Sequence, residues 1–347
     1  MADTSGLEGG INADQGGSVI ACAVIFIVFC SLFLALRFMA RHQARQGNFF
    51  EDWLMIPAYL MMMGLCANVI CSVLLGKVGR HQDWVLSHQP TALVHWAKAL
   101  FVTELMYGVL IATEKTSILI LYFRIFQIHK WFRYLVYFLI VYVWMWAVSE
   151  LLVAIFQCQP IAYQWNTSLH GTCIDRLAFY RWISVPNIAH DVAMLVIPAP
   201  MIWKLQISTH KKMALSGIFL LASFGCVASA VRMYYFFKLN ALSDKTWASI
   251  HLMSWTCAEP GVIFICACMP ALWPVLRKLF NLKSTTGQRS EESWAQAKGP
   301  SGWSGAPSSR QPVSGNDDFI LLQDIGLDDY QMASEGSPPR QVAREKA

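Results

Sequence analysis

Seven ionisable side chains stand inside long apolar stretches of the sequence, where charged residues are otherwise rare. An ionised group in the hydrocarbon region of a membrane costs on the order of 3 kcal/mol by insertion scales, so such residues mark either ion pairs between helices or a polar cavity. Pairing would fix the register of the helices, whereas a cavity would bind a ligand or move an ion or a proton. The residues are Glu104, Glu114, Lys115, Glu150, Asp191, Arg232 and Glu259.

Three of these residues lie deepest in their apolar stretches. At a rise of about 1.5 Å per residue, Asp191 and Glu259 fall roughly 15–20 Å from the outer ends of their helices, and Lys115 falls roughly 13 Å from an inner end. Arg232 lies within about two turns of an outer end, where a long side chain can extend to the membrane surface. We take Lys115, Asp191 and Glu259, together with Glu114 and Arg232, as candidates for ligand or ion binding.

The elements that carry these residues are predicted from composition and apolar length. Of the 347 residues, 55% are hydrophobic and 14% are charged, whereas soluble domains have about 25% charged residues. A helix needs about 20 mostly apolar residues to cross about 30 Å of hydrocarbon. The sequence therefore predicts an all-α integral membrane protein with a bundle of seven transmembrane helices. The predicted spans are Ser18–Ala40, Trp53–Leu75, Ala99–Phe123, Trp131–Phe156, Phe179–Trp203, Met213–Phe237 and Trp247–Met269.

Basic residues between the spans predict the orientation, because cytoplasmic loops are enriched in Lys and Arg. With the N-terminus outside and the C-terminus in the cytosol, the inner segments hold 13 basic residues and the outer segments hold 7. The net charge of +5 is spread over short clusters between apolar runs, which argues against nucleic acid as a partner. The inner basic residues are Arg37, Arg41, Arg45, Arg124, Lys130, Arg133, Lys204, Lys211, Lys212, Arg277, Lys278, Lys283 and Arg289.

The loop predicted between the fourth and fifth spans has features of an outer, oxidising environment. Cys158 and Cys173 flank it, and a disulfide between them suits such a compartment. The triplet Asn166-Thr167-Ser168 predicts glycosylation of Asn166 on the lumenal side, although one such triplet is common by chance in a chain of this length. The other eight cysteines lie in apolar runs and are expected to pack as small hydrophobic side chains.

The C-terminal part of the chain differs in composition from the rest. Pro270 and Pro274 are expected to end the seventh helix. From Ser284 onward the chain is rich in Ser, Gly, Pro and Gln, which predicts disorder. Within this tail, Asp317–Leu322 resembles a dileucine sorting signal, and the alternatives are a short helix that binds a cytosolic adaptor or signalling partner, or no role. The predicted domains are a short extracellular N-terminus (1–17), a seven-span domain (18–280) and a disordered cytosolic tail (281–347).

Several kinds of chemistry lack the residues that they need. A retinal pigment requires a lysine in its last span for the Schiff base, and Trp247–Met269 contains none, so we expect no retinal and no other cofactor. His81, His88 and His95 recur at a spacing of seven residues, but Pro90 interrupts the helix that would align them, so we expect no metal site. The sequence contains no recognisable catalytic set, and enzymatic activity stays open.

Local motifs resemble those of a known family. Phe49–Trp53 stands before the second span, Gly76–His81 resembles the family's Gly-x-Gly-x-His loop, and Lys115–Phe126 is the most specific stretch. Across residues 18–280 the chain resembles the fungal rhodopsin-like domain family of seven-span proteins, which includes a satratoxin-cluster membrane protein and receptor-like proteins of plant-pathogenic fungi. Further matches are the loop from Cys158 to Cys173, Asn187–Asp191, Pro198–Leu205 and Arg232.

The resemblance implies a role near a biosynthetic pathway, because many members of that family are encoded in fungal secondary-metabolite clusters. Our first hypothesis is a receptor-like or accessory protein that binds a small apolar metabolite inside the bundle. The alternatives are a transporter or exporter of a pathway metabolite, and a membrane scaffold or non-classical enzyme of the pathway. Many transporters show internal repeats, and their absence from this sequence favours the first hypothesis. The expected location is the plasma membrane or an endomembrane.

Overall fold

The structure of the protein is a computed structural model that consists mainly of long helices. The described residues are 13–43, 50–125, 130–166, 168–199, 223–237 and 244–279. The helices are α1 (Gly16–Gln43), α2 (Phe50–Leu74), α3 (Gln82–His88), α4 (Ala92–Ile125), α5 (Lys130–Phe156), α6 (Arg176–Val196), α7 (residues 223–237) and α8 (Lys245–Leu279).

Five helices within the described residues are long and apolar enough to cross a membrane. They are α1, α2, α4, α5 and α8, which overlap the first four predicted spans and the seventh. The fifth predicted span, Phe179–Trp203, coincides with α6 as far as Val196, and residues 223–237 of the sixth are helical. The helical membrane architecture is thus confirmed, while the count of seven crossings stays a prediction.

Some sequence-based expectations fall outside the described residues. These are the end of the fifth predicted span, the start of the sixth, the basic residues between them, and the tail with its acidic dileucine motif. They comprise Trp203, Met213, Lys204, Lys211, Lys212, Asp317–Leu322 and residues 281–347.

Helix α4 is the most enclosed of the membrane-crossing helices in the described part of the chain. In its most apolar stretch 78% of the residues are buried, compared with 17% in α1. It packs against α2 and α5, and its side chains Leu110, Ile111 and Leu119 are at most 1% exposed. Because the middle of α4 lies inside the bundle, its charged residues Glu114 and Lys115 are buried among other helices, which explains why the third predicted span is the least uniformly apolar.

The last helix continues through both prolines that were expected to end it. Helix α8 includes Pro270 and Pro274, so that expectation is wrong. A proline removes one backbone donor and disturbs the carbonyl groups of the preceding turn, which membrane helices tolerate where neighbouring side chains bond those carbonyls. Here Arg37 Nη1 donates to the carbonyl oxygen of Ala267 at 2.5 Å, within the turn that precedes Pro270.

The loop between α5 and α6 forms a small disulfide-bonded hairpin. Strand β1 (Cys158–Gln159) pairs antiparallel with β2 (Thr172–Cys173), and the two cysteines are bonded to each other. A 3-10 helix covers Ile161–Gln164 between the strands. Gln157 Nε2 donates to Glu104 Oε2 at 2.7 Å, so the hairpin is tied to the side of α4.

A second set of contacts joins the loop after α2 to the residues at the starts of α1 and α8. Arg80 pairs with Asp14 at 3.1 Å. His81 Nδ1 lies 2.5 Å from Asp244 Oδ2, and its ring stacks on Trp247 with 4.2 Å between the ring centroids. Three segments that are distant in sequence are therefore held together at one end of the bundle.

Candidate functional site

Six buried polar side chains from four helices meet inside the bundle, and we call them the central network. Their exposed fractions run from 0% at Glu259 to 8% at Asp191. They include Arg232 and the three residues that the sequence predicts to lie deepest, Lys115, Asp191 and Glu259. The members are Lys115 on α4, Asn187 and Asp191 on α6, Ser229 and Arg232 on α7, and Glu259 on α8.

Lys115 is the cation at one end of the central network. Its Nζ lies 2.6 Å from Asp191 Oδ1 and donates to Asn187 Oδ1 at 2.8 Å. Asn187 and Asp191 are four residues apart on α6, so both side chains face α4. An ammonium group buried to this degree needs such partners, because an isolated charge in an apolar interior is strongly unfavourable.

Glu259 is the acceptor at the other end of the network. Its Oε1 accepts hydrogen bonds from Asn187 Nδ2 at 2.9 Å and from Ser229 Oγ at 2.5 Å, and its Oε2 accepts one from Arg232 Nε at 2.9 Å. The Arg232 guanidinium also lies 4.4 Å above the ring of Tyr107. Arg232 is only 5% exposed and therefore does not extend to the membrane surface.

Ser229 connects the two ion pairs of the network. Its Oγ lies 2.9 Å from Asp191 Oδ2 and 2.5 Å from Glu259 Oε1. A hydroxyl group has one proton to donate, so Ser229 donates fully to one carboxylate at a time. The hydrogen bonding of the Lys115–Asp191 pair thus depends on that of the Arg232–Glu259 pair.

Two further buried carboxyl groups lie near this network with unpartnered oxygens. Glu114 is 0% exposed and Glu150 is 4% exposed. Both carboxyl oxygens of Glu114 and the Oε2 atom of Glu150 lack a hydrogen-bond partner among the described residues. Glu150 packs against α4 at Gly108, where an added Cβ would lie 2.6 Å from its Oε2.

A separate group of charged residues joins α1, α2 and α4, and we call it the inner cluster. Arg37 Nη2 lies 2.6 Å from Asp52 Oδ1. Arg41 Nη2 and Arg124 Nη1 lie 3.3 Å and 3.4 Å from Glu51 Oε1. Arg37, Arg41, Glu51 and Asp52 are at most 3% exposed, while the Arg124 side chain is 23% exposed. These ion pairs join α1 and α4 to the first turn of α2, where Glu51 and Asp52 belong to the family-like motif.

Arg37 and Arg41 were counted among the basic residues of an inner loop, whereas both lie within α1. Two signals indicated their true role. They are four residues apart, which places them on one face of a helix, and the next helix begins with the acidic pair Glu51 and Asp52. Positively charged residues on one helix and carboxylates at the start of its neighbour predict interhelical pairing more directly than loop charge.

The uncharged members of the central network were not predicted as site residues, although Asn187 begins the family-like stretch Asn187–Asp191. Asn187 and Ser229 have no formal charge, so a search for ionisable residues passes over them. The spacing of Asn187 four residues before Asp191 was the available signal for the first. No comparable pattern marks Ser229, whose role depends on how α7 packs beside α6 and α8.

The histidines of the loop after α2 do not converge. His81 bonds Asp244, while His88 stacks on Trp84 with 4.5 Å between ring centroids. No group of three His, Cys, Asp or Glu side chains suited to a metal ion occurs in the part of the chain that the structure describes.

Comparison with known proteins identifies the family. The model of the fungal rhodopsin domain matches residues 36–278, a range that includes the central network and the inner cluster. The chain belongs to the fungal rhodopsin domain family. The resemblance drawn from the motifs is thereby confirmed.

Relatives of this protein come from fungi. The chain is 30% identical over 266 residues to the polyenoic acids biosynthesis gene cluster protein Ba17b of Metarhizium anisopliae, covering 74% of this chain and 72% of that protein. It is 23% identical to Receptor GIN3 of Arthrobotrys oligospora, over 88% of this chain and 75% of that protein. It is 26% identical to the satratoxin biosynthesis SC1 cluster protein 4 of Stachybotrys chartarum, over 57% of this chain and 67% of that protein. No solved structure matches the chain.

Removing one partner of the Lys115–Asp191 pair should destabilise the protein more than removing both. Lys115→Met leaves a buried carboxylate without its cation and should cost about 3–5 kcal/mol. Lys115→Met combined with Asp191→Asn should cost less than Lys115→Met alone, because no unpaired charge is left buried. Unfolding of the purified chain in detergent measures this coupling. Lys98→Met, at an exposed position of the same helix, is the control, and strictly additive costs would contradict the pairing.

In the inner cluster, Arg37 should contribute more to stability than Arg124. Arg37→Met removes the short, buried contact to Asp52 and leaves that carboxylate with the longer contact to Arg41 at 3.4 Å, at a cost of about 3–5 kcal/mol. Arg124→Met removes a longer, partly exposed contact worth about 0–1 kcal/mol. The melting temperatures of the two variants measure the difference. Arg133→Met, at an exposed position of α5, serves as the control for loss of a surface arginine. Equal melting temperatures for the first two variants would refute this ranking.

Proposed function

We propose that this protein is a receptor-like or accessory membrane component of a fungal secondary-metabolite pathway, and that its central network binds a small metabolite. The observation that carries the proposal is the convergence of six buried polar side chains from α4, α6, α7 and α8 on one place. One ion pair suffices to fix the register of two helices. A joined network of this size provides the few placed polar groups that a mostly apolar ligand site requires.

The surroundings of the network favour a largely apolar ligand. The guanidinium of Arg232 lies over the rings of Tyr107 and Phe236, at 4.4 Å and 5.6 Å from their centroids. Trp146 touches Tyr107 edge to face, with 6.5 Å between ring centroids. Aromatic walls with a few polar groups are the usual composition of small-molecule sites. A metabolite with one polar end and an apolar body fits this description.

The relatives support the pathway assignment and the receptor-like role. Several carry names that place them in biosynthetic gene clusters, and one is named a receptor. The match to one of them extends over 88% of this chain, so the likeness includes the helices that build the central network. We carry the role of a metabolite-binding membrane protein to this chain as part of the proposal.

The proposal includes the topology expected from the loop charges. It has seven crossings, with the N-terminus and the hairpin between α5 and α6 outside and the C-terminal tail in the cytosol. The tail would then recruit a cytosolic adaptor or signalling partner, and the apolar outer surface of the bundle would contact lipid. A position in the plasma membrane or in an endomembrane satisfies the same pattern.

Transport of a metabolite is the second candidate function. The observation that favours it is the single proton of Ser229, which is shared between Asp191 and Glu259. A network with two alternative hydrogen-bond arrangements is a starting point for two conformations of the helices that carry it. Uptake of the ligand into vesicles that contain the protein distinguishes a transporter from a receptor, since a receptor binds its ligand without moving it.

Ligand binding is tested with the purified full chain and an organic extract of the fungus that encodes it. We expect the extract to raise the melting temperature by several degrees, because a ligand that binds only the folded state stabilises it. The combined variant Lys115→Met, Asp191→Asn should lose this rise, while Lys98→Met should keep it. An extract that leaves the melting temperature of the unaltered chain unchanged would count against the proposal.

The proposed orientation is tested by glycosylation of Asn166. Its side chain is exposed, and its Oδ1 accepts a hydrogen bond from the backbone N–H of Ser168 at 3.2 Å. If the hairpin faces the lumen, the chain from fungal membranes should run faster on a gel after treatment with a glycan-removing amidase. Asn166→Gln should run at that position without treatment. Unaltered mobility of the untreated and treated chain would contradict a lumenal hairpin.

A further inference from the structure

The end of the bundle that holds the inner cluster exposes charge of one sign. Glu51 and Asp52, the carboxylates that the described residues place there, are buried and paired with arginines. Lys130 and Arg133, at the start of α5, are exposed. They lie at the same end because α5 begins five residues after α4, whose last turn carries Arg124 of the inner cluster. This end of the described bundle therefore offers cations to an anionic partner.

Aromatic rings accompany these two cations. The side chains of Trp131 and Tyr134 are 69% and 75% exposed, and the guanidinium of Arg133 lies 5.4 Å from the ring centroid of Phe123 on α4. Exposed Trp and Tyr rings are typical of the head-group level of a membrane. The start of α5 is therefore suited to the level at which phospholipid head groups lie, and the contact with Phe123 holds the guanidinium beside α4.

An apolar groove runs along α5 beyond its charged start. Its volume is about 490 Å³, and the residues that line it include Ile140, Trp144, Val148 and Leu152. Trp144 Nε1 donates to Thr116 Oγ1 of α4 at 3.0 Å, which fixes the indole ring that forms one wall. Small-molecule sites usually occupy about 300–1,000 Å³, so the groove has room for part of a lipid chain.

The distance between the cations and the groove suits a phospholipid. At a rise of about 1.5 Å per residue, the groove begins about 10 Å from Arg133, at Ile140, and reaches Met145 at about 18 Å. One leaflet contributes about 15 Å of hydrocarbon. An acyl chain whose head group lies at Lys130 and Arg133 therefore enters the groove from its near end. An acidic peptide in water would meet the cations but would not extend along an apolar groove.

We propose that a phospholipid with an anionic head group binds along α5. Its head group lies at Lys130 and Arg133, and one of its acyl chains lies in the groove that begins at Ile140. Basic side chains next to a membrane surface attract anionic lipids, and the positive end of the helix dipole at the start of α5 adds to that attraction. This site requires neither a metabolite nor transport, so it goes beyond the proposed function.

Three probes separate the head group from the chains. Dioleoylphosphatidylserine, dioleoylphosphatidylcholine and glycerophosphoserine, which has the anionic head group without chains, are each added to the purified full chain in a nonionic detergent. We expect phosphatidylserine to raise the melting temperature in a saturable manner, phosphatidylcholine to bind about tenfold more weakly, and glycerophosphoserine to have no effect. Sodium chloride at high concentration should weaken the binding of phosphatidylserine, because salt screens exposed charges.

Lys130→Gln combined with Arg133→Gln tests the head-group contacts. The Kd for phosphatidylserine should rise about fivefold for each lost cation and about 25-fold for both. Lys98→Gln combined with Arg176→Gln is the matched control, because it removes the same two kinds of charge from exposed positions at the opposite end of the bundle. Its Kd should equal that of the unaltered chain. In detergent without phospholipid, neither pair should change the melting temperature, since all four side chains lie at the surface.

Val141→Trp tests the groove, since the larger ring fills its near end. The Kd for phosphatidylserine should rise severalfold, because the acyl chain loses its place. Val28→Trp on α1 is the matched control, because both valines are 57% exposed, and it should leave the Kd unaltered. This variant also keeps the test decisive if the loss of Lys130 and Arg133 impairs folding.

Several outcomes would overturn the lipid site. These are equal Kd values for phosphatidylserine and phosphatidylcholine, an equal response to glycerophosphoserine, and a Kd for phosphatidylserine that neither the Lys130, Arg133 variant nor Val141→Trp changes. An equal rise of the Kd in the Lys98, Arg176 control would show that only total charge matters, and would overturn it too. A dimer of the chain that Val141→Trp separates, without any response to phosphatidylserine, would identify a second copy as the occupant of the groove instead.

Discussion

A cation that cannot reach water is the constraint on which the rest of this structure depends. Lys115 lies in the most enclosed helix of the described bundle and is 1% exposed. Its ammonium group needs a carboxylate and further acceptors at short distance, because an unpaired buried charge is far more costly than the gain from packing one more side chain. Asp191 and Asn187 meet this need from a single face of α6. The position of α6 against α4 follows from that requirement.

The same requirement extends outward from α6 to two further helices. The amide of Asn187 accepts from Lys115 and donates to Glu259, so satisfying one group places the next. Glu259 on α8 then needs a cation of its own, which Arg232 on α7 supplies. The need of each buried polar group for a hydrogen-bond partner specifies which helices are neighbours. Apolar surfaces, which can replace one another, leave that choice open. The apolar residues provide most of the contact area, and the polar ones determine its arrangement.

How much of this was readable from the sequence depended on the range of the interaction concerned. Apolar length indicated the long helices, and depth along them singled out Lys115, Asp191 and Glu259. The continuation of α8 past Pro270 was not readable, because it involves a side chain more than 200 residues away in sequence, Arg37. Likewise, the role of Ser229 arises only when three helices meet. Local patterns predict elements well, and contacts between distant segments decide which groups in those elements become partners.

Helix α4 carries residues of both the central network and the inner cluster, and α8 carries Glu259 of the central network and Ala267, whose carbonyl oxygen accepts from Arg37 of the inner cluster. Lys115 and Arg124 are nine residues apart in α4, which corresponds to about 13 Å along the helix. Glu259 and Ala267 are separated by about 12 Å along α8. A helix is stiff over such lengths, so a ligand that moved α4 relative to α8 at the central network would also strain the ion pairs of the inner cluster. Among those ion pairs, the one between Arg124 and Glu51 is long and partly exposed and would yield first, whereas the short, buried pair of Arg37 and Asp52 would keep α1 and α2 together. Such a movement would therefore appear at the inner cluster as a displacement of α4.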